Sequence, residues 1–236
     1  MVFRIKNKNV MEKQIIKKNN DVKDILRKLW LSRNGEVASQ MQRYGMVYRK
    51  NLGVPISRIR EIASDYTPSS ETAEQLWALH EREPMLMALL LQPINNFTWE
   101  MAQSWAQDCG NIEIIEFACM HLFSKLSFAE KLCCEWCASE KEQFQMMGFI
   151  LSARNYQHFS DENRNFIIEK AFEKSATENF QLYKAISLAL CRFCRCGKSV
   201  AELISRKLNN FLPQPTTGQQ YIIEEVKSEM IFLELL

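Results

Sequence analysis

The sequence predicts an all-α fold, built as a right-handed superhelix of stacked antiparallel helix pairs. Glycine and proline are scarce, at 7 and 6 in 236 residues, whereas all-β folds need turn residues every ~8–12 positions. Apolar residues recur at helical spacing along the chain, and no segment alternates with period two. Because a single helix pair cannot bury its own apolar face, successive pairs must stack, which gives an α-solenoid. A globular helical bundle is the alternative.

The N-terminal half predicts short helices separated by clear turns. Residues 1–20 are rich in Lys and Asn, and we expect a basic tail or a short helix there. The first regular helix covers residues 21–33, and a second runs through Tyr48. Pro55 suits the first position of the next helix. Further helices are expected over residues 56–63, 73–80, 84–91, 98–105 and 111–123.

In the C-terminal half, three Ser-x-x-Glu spacings predict helix starts. Each pairs a serine that would cap the helix with a glutamate three residues on, as in a capping box. The pairs are Ser127 with Glu130, Ser139 with Glu142, and Ser199 with Glu202. Helices are therefore expected at about 128–138, 140–156, 161–175, 179–196 and 200–210, with a last one after Gly218. Residues 21–236 are predicted to form a single α-solenoid domain.

The composition and charge of the chain limit the cellular location and the binding partners that we expect. No apolar stretch approaches the ~20 residues that cross a bilayer, and the N-terminus does not resemble a secretory signal. We expect a cytoplasmic protein with no membrane partner. The net charge is only +2, yet residues 1–60 carry 15 basic against 4 acidic side chains and residues 61–145 carry 4 against 14. This asymmetry suggests a polyanion partner, although a solvated basic arm would give the same pattern.

Several segments resemble the HEAT-like-repeat DNA alkylation repair proteins, a family of ARM-type α-solenoids. The segments are Met41–Gly45, Leu52–Ala63, Leu76-Trp77 with Glu81-Arg82-Glu83, and Lys184-Ala185-Ile186 with Ala189-Leu190 and Arg192. Together they span most of residues 36–210. The resemblance implies a concave helical surface that is lined with Arg and Lys and binds duplex DNA.

The same resemblance implies a catalytic site, which this chain matches in part. Catalytic members are glycosylases that release cationic N3- or N7-alkylated bases without extruding them into a pocket. They carry a Trp with an Asp four residues later, an Arg on a middle helix and a second Trp. Here Trp105 supplies the first Trp, but Cys109 stands four residues on and Asp108 three. Trp105 and Asp108 are therefore the candidate catalytic pair.

Two further departures weaken the catalytic interpretation. The position of the family's Arg aligns near Met147, and that of its second Trp aligns with Leu188. Without the guanidinium and one aromatic wall, much of the selective stabilisation of a transition state is lost. We therefore favour a DNA-binding member, with weak glycosylase activity through Asp108 as the alternative.

A basic stripe supplies the candidate DNA contacts. Arg192, Arg195 and Lys198 recur at three-residue spacing, Lys184 lies two turns earlier, and Arg154 lies on an adjoining helix. Phosphate contacts need long cationic side chains on one face. The structural alternative is a solvated helix face, where cations near a C-terminus suit the helix dipole.

Cofactor sites are not indicated. Cys134-x-x-Cys137 and Cys191-x-x-Cys194 formally allow a four-thiolate zinc site, but both pairs lie inside helical patterns, where free thiols pack as small apolar groups. No phosphate-binding glycine loop or dinucleotide fingerprint is present, so we expect no nucleotide cofactor and no metal.

The sequence thus predicts a DNA-binding repeat protein that recognises or excises N3- or N7-alkylated purines in duplex DNA. The alternative is a non-catalytic helical scaffold for a protein partner, using an apolar or acidic groove within residues 61–145.

Overall fold

A computed structural model of the chain describes residues 21–211 and 214–235. The predicted basic tail, residues 1–20, lies outside them. All regular secondary structure in the described part is helical, which confirms the all-α prediction. Within it, no helix combines the length and apolar character needed to cross a membrane. The chain divides into two compact units, Met1–Leu122 and Phe123–Leu236.

The N-terminal unit is organised around one buried helix. Its helices are α1 (residues 21–31), α2 (Gly35–Arg43), α3 (Ile56–Ser64), α4 (Ser70–Trp77), α5 (Arg82–Leu91), α6 (Trp99–Asp108) and α7 (Ile112–His121). Helix α5 packs against α3, α4 and α7, and nine of its ten residues are buried. A helix that is apolar all round belongs in a core, and its neighbours supply amphipathic faces to cover it.

The C-terminal unit consists of two layers of helices. Its helices are α8 (Ala129–Cys137), α9 (Glu142–Asn155), α10 (Asp161–Glu173), α11 (Phe180–Cys194), α12 (Lys198–Leu208) and α13 (Thr217–Phe232). Helices α9, α11 and α13 lie side by side, with α11 in the middle. On the other side, α8 packs on α9 and α10, and α12 packs on α11 and α13. This is the arrangement of stacked helix pairs joined by short connections.

Helices of one layer run in the same direction. The Glu142 carboxylate, at the start of α9, accepts hydrogen bonds from the Thr177 hydroxyl and the Asn179 amide at the start of α11, both at 2.9 Å. At the opposite end, the Cys196 thiol after α11 lies 3.5 Å from the Tyr156 carbonyl after α9. The last turns of α9 and α11 are therefore neighbours.

Helices α8 and α9 pack at close range because Gly148 lacks a side chain. A Cβ atom at this position would lie 2.6 Å from the Cys137 amide nitrogen and 2.8 Å from its sulfur. Cys137 itself is fully buried, and the Ser152 hydroxyl one turn after Gly148 donates to the Gly148 carbonyl at 2.7 Å. The contact surface between the two helices is thus shaped by small side chains.

A buried ion network ties the loop before α3 to α5 and α7. The Arg82 guanidinium donates to both carboxylate oxygens of Glu113, at 2.8 and 2.6 Å, and to Glu83 at 2.7 Å. The Glu83 carboxylate accepts the backbone amides of Leu52 and Val54 at 3.0 and 3.2 Å. Burial acts to raise the pKa of Glu113, but the hydrogen bonds from Arg82 and Tyr48 outweigh it and lower that pKa. The glutamate is therefore held as an anion inside the fold.

The predicted capping boxes are wrong, although the serines lie close to helix starts. Helices α8, α9 and α12 have Phe128, Lys141 and Gly197 as their N-caps, and none of these makes a side-chain capping hydrogen bond. The capping box that forms joins Thr216 to Gln219 at the start of α13. Glu130 instead accepts hydrogen bonds from Ser160 and Asn163 at the start of α10.

Two predicted helices end early in the N-terminal unit. Helix α2 stops at Arg43 instead of continuing through Tyr48, because Gly45 adopts a positive φ of 80° and turns the chain. The Tyr48 hydroxyl then donates to Glu113 and lies 2.9 Å from the Asn111 side-chain oxygen, and these contacts hold it away from α2. Helix α4 ends at Trp77, and His80 lies in a turn with φ of 49°.

Replacing Arg82 by methionine tests the buried ion network. The substitution keeps much of the side-chain volume but leaves Glu83 and Glu113 without their common cation. We expect the free energy of unfolding to fall by about 3–5 kcal/mol, measured by urea denaturation. As a matched control, Lys207→Met breaks the surface ion pair with Glu169 and should cost less than about 1 kcal/mol. Equal effects of the two substitutions would contradict the role given to Arg82.

Candidate functional site

The candidate catalytic pair lies on α6, next to a second tryptophan. Trp105 stacks face to face on Trp77, with ring centroids 4.2 Å apart and planes within 3°. The Trp77 indole N–H donates to the Asp108 carboxylate at 2.8 Å. Phe97 contacts Trp105 edge-on at 5.0 Å. The structure thus brings Trp105 and Asp108 together through Trp77, the last residue of α4.

Burial limits what this cluster can touch. Only 5% of Trp105 and 4% of Trp77 is exposed, and their stacked faces cover one another. Cys109, four residues after Trp105, is fully buried, its thiol lies 3.2 Å from the Trp105 carbonyl, and burial raises its pKa. Trp105 is therefore a core side chain here, and Asp108 is a half-buried carboxylate held by an indole.

Helix α6 contains another pair at the spacing of the family's Trp and Asp. Trp99 and Gln103 are four residues apart and both are half-buried, so they lie on one side of the helix. The second residue of this pair has an amide in place of a carboxylate. The signal for it was in the sequence, since Trp99 precedes Gln103 by four positions just as Trp105 precedes Cys109.

The other two positions aligned with the family's catalytic residues differ in exposure. Met147 is fully buried in α9, where residues 144–153 are all buried. Leu188 is 41% exposed on α11. The position of the family's second Trp therefore faces outward, but it presents an aliphatic side chain.

One exposed face of α11 carries most of the predicted DNA contacts. Lys184, Leu188, Arg192 and Arg195 follow one another at intervals of four, four and three residues, which places them along one side of a helix. Lys184 and Arg195 are exposed and Arg192 is half-buried. We call this side, with Lys184, Leu188, Arg192 and Arg195, the basic face of α11.

Two other predicted contacts lie at the same end of the C-terminal unit. Arg154 is exposed in the last turn of α9, next to the last turn of α11, which contains Arg192. Lys198 is exposed at the start of α12. Cations in these last turns also lie at the negative ends of two helix dipoles, which stabilises their charge.

The basic face is bounded by acidic side chains of α13. Arg195 donates to the Glu229 carboxylate at 2.5 Å, an ion pair that raises the pKa of Arg195. Glu225 lies one turn before Glu229 on the same helix. The basic face of α11 therefore has acidic side chains on its α13 side and the basic Arg154 on its α9 side.

The cysteines of the two C-x-x-C spacings occupy helical faces. Cys133, Cys137 and Cys194 are buried, while Cys134 and Cys191 are partly exposed. Burial raises the pKa of Cys134 and of Cys191 to about 11 in each case. Within the described residues, no group of three or more metal-binding side chains gathers at one point.

The comparison that decides the family covers most of the chain. The sequence profile of the DNA alkylation repair enzyme family matches residues 13–198, well over half of the 236. The chain belongs to this family. The matched range includes α6, α9 and α11, the helices that contain Trp105, Met147 and Leu188.

Solved structures place this DNA alkylation repair family member in the HEAT-like repeat fold. One is described as "a new family of proteins related to the HEAT-like repeat DNA glycosylases with affinity for branched DNA structures". It has 14% sequence identity and a TM-score of 0.70, and the match covers 87% of this chain and 94% of that one. This likeness confirms the predicted fold class.

Two engineered proteins of known structure match less closely. They are 14% and 15% identical to this chain, each with a TM-score of 0.42 over 75% of it. A TM-score of this size does not establish a common fold. No curated protein sequence matches the chain.

Proposed function

We propose that this family member binds DNA through the basic face of α11 and does not excise bases. The observation that carries the proposal is the row of Lys184, Arg192 and Arg195 on one exposed helix face, with Arg154 beside it in the last turn of α9. Long cationic side chains on one face can reach successive phosphates of a duplex.

The surroundings of the face determine how DNA would approach it. Contacts from α13 are unfavourable for phosphate, because Glu225 and Glu229 lie on that side. Arg195 contacts Glu229 and would have to share or exchange this partner when a phosphate binds. The strongest phosphate contacts are therefore expected from Lys184, Arg192 and Arg154, which form no ion pair with any other residue that the structure describes.

The fold likeness adds a substrate class to the proposal. The solved relative is described as having affinity for branched DNA, and this chain shares its fold over most of its length. Branched DNA is therefore the substrate to compare first with plain duplex. Lys198 lies at the start of α12, just beyond the end of α11, and is the residue proposed to contact a second arm.

The proposed absence of base excision rests on the α6 cluster and the aligned positions. The Asp108 carboxylate accepts the Trp77 N–H, and the stacked Trp105 has almost no exposed surface. The residues four after Trp105 and Trp99 are a buried thiol and an amide, Cys109 and Gln103. Stabilising an oxocarbenium-like sugar requires a carboxylate that faces it, and neither pair supplies one.

The salt dependence of DNA binding tests the basic face. Each phosphate contact contributes about −0.9 to the slope of log K against log[salt]. Lys184→Gln and Arg192→Gln should each weaken binding of a 20-base-pair duplex and reduce the slope by about 1, measured by fluorescence anisotropy. Lys207→Gln, which removes a cation of α12 that pairs with Glu169, is the matched control and should change neither quantity.

Two outcomes would overturn the proposal. Equal effects of Lys207→Gln and Lys184→Gln would mean that the basic face is not the contact surface. Undetectable binding at low salt to both duplex and branched DNA would remove the DNA-binding function, and would favour the protein scaffold as the alternative.

An assay of base release tests the absence of excision. Methylated duplex DNA incubated with the wild-type protein should release 7-methylguanine and 3-methyladenine no faster than DNA alone, measured by chromatography of the free bases. An active alkylpurine glycosylase serves as the positive control. Release above background that is lost in Asp108→Asn would contradict the proposal and would assign catalysis to Asp108.

A further inference from the structure

Three aromatic side chains gather where α11 and α13 begin. The ring of Tyr183 lies 5.3 Å from that of Phe180, edge to face, and 5.3 Å from that of Tyr221. Phe180 and Tyr221 are 6.3 Å apart. Phe180 is 54% exposed, although it is large and apolar and is the first residue of its helix. An exposed ring of this kind, next to two others, is a surface to which a planar ligand can stack.

A cavity of about 460 Å³ adjoins these rings. Tyr183 and Tyr221 form one wall, and Pro215 and the first turns of α13 with Gln220 and Glu224 form the rest. This volume lies within the ~300–1,000 Å³ typical of small-ligand sites. Two backbone amides at the start of α13, those of Thr216 and Gln219, are already satisfied by the capping box. The cavity is therefore defined by its aromatic wall and by its polar side chains.

Two opposite charges lie near the cavity, the Glu224 carboxylate in its lining and the Lys184 ammonium beside the Phe180 ring. Glu224 contributes a carboxylate to the lining and accepts a hydrogen bond from the Gln220 amide at 2.6 Å. The Lys184 ammonium lies 5.0 Å from the centre of the Phe180 ring, on the basic face of α11. An anion would be repelled by Glu224 and attracted to Lys184. A ligand that carries donor groups on a planar ring and an anionic group beside it matches both features.

We propose that this cavity binds one unpaired nucleobase of a DNA strand, stacked on Tyr221 with the neighbouring Phe180 ring packed against its edge, while Lys184 contacts the adjacent phosphate. The inference rests on the proposed DNA binding and goes beyond it, because it assigns a separate site for single-stranded or unpaired nucleotides. Every base offers a π-face to an aromatic side chain. The amino group of an unpaired adenine, cytosine or guanine donates to the Glu224 carboxylate.

A fluorescent base in a gapped duplex tests the proposal directly. The probe is a duplex with a short single-stranded gap that contains 2-aminopurine, compared with the same sequence fully paired. Wild-type protein should bind the gapped DNA about 5- to 150-fold more tightly, the range that stacking of one base provides. The 2-aminopurine fluorescence should be quenched on binding, which reports stacking of the base itself.

Variants distinguish the aromatic wall from general DNA affinity. Tyr221→Ala and Phe180→Ala should each lose the preference for the gap and the quenching, yet keep the affinity for paired duplex. Tyr221→Phe retains the ring and should keep both. Phe232→Ala, which removes an exposed ring at the far end of α13, is the matched control and should behave as wild type.

A second substitution tests the role of the carboxylate. Wild-type protein should bind an unpaired adenine, cytosine or guanine more tightly than an unpaired thymine, which has no amino group. In Glu224→Ala this difference should disappear, while stacking and quenching persist. An unchanged preference among the four bases would exclude Glu224 from recognition.

Failure of this inference is distinguishable from failure of the proposed function. If wild-type protein binds duplex DNA but binds the gapped DNA no more tightly and without quenching, the base site is refuted and the basic face stands. Equal losses of gap preference in Tyr221→Ala and Phe232→Ala would also refute it. If the protein binds neither the paired duplex nor the gapped duplex at low salt, both proposals are refuted.

Discussion

Carboxylates that bond to the start of a neighbouring helix are the interaction on which the rest of the structure depends. Glu142 of α9 holds the start of α11, and Glu130 of α8 holds the start of α10. In the N-terminal unit, Glu113 of α7 pairs with Arg82 at the start of α5. Helix starts carry partial positive charge, so an acidic side chain from a neighbouring helix stabilises them.

This constraint has a functional consequence in the C-terminal unit. When the starts of α9 and α11 are joined, their last turns must also be neighbours, and the cations of those turns collect at one edge. Arg154 and Arg192 occupy these turns, and Arg195 follows as the C-cap of α11. A basic surface thus arises from helices that are held in register by acidic groups at the opposite end. In this unit, acidic side chains hold the helix starts together, and basic side chains form the surface at the opposite helix ends.

The α6 cluster is held together by contacts among its own side chains. Trp105 and Trp77 stack on each other, and Asp108 accepts the indole hydrogen bond that a buried Trp77 requires. The stacked faces of the two tryptophans, the Trp77 N–H and one oxygen of Asp108 are thus engaged within the protein. Under the proposed function, binding and base removal separate in this chain: the basic face of α11 contacts phosphate, while the α6 cluster does not stabilise the sugar.

Much of the helix order could be predicted from the sequence, because helical spacing of apolar residues is a local signal. The basic positions on α11 could be predicted for the same reason. The side chains with which residues form contacts across the fold could not be predicted. Trp77 and Asp108 are 31 residues apart, and nothing in their local sequence indicates that the indole and the carboxylate meet. Glu130 and Glu142 have the spacing of capping residues for their own helices, yet each bonds to a helix further along, since stacking brings that helix closer.

Photocrosslinking gives the most direct test of the claim that the basic face of α11 contacts DNA. A photoreactive amino acid is placed at Leu188, between Lys184 and Arg192, or at Phe166, which is exposed on α10 in the other layer. After illumination with duplex DNA, we predict a protein–DNA crosslink from position 188 and none from position 166. Crosslinking from position 166 alone would contradict the account.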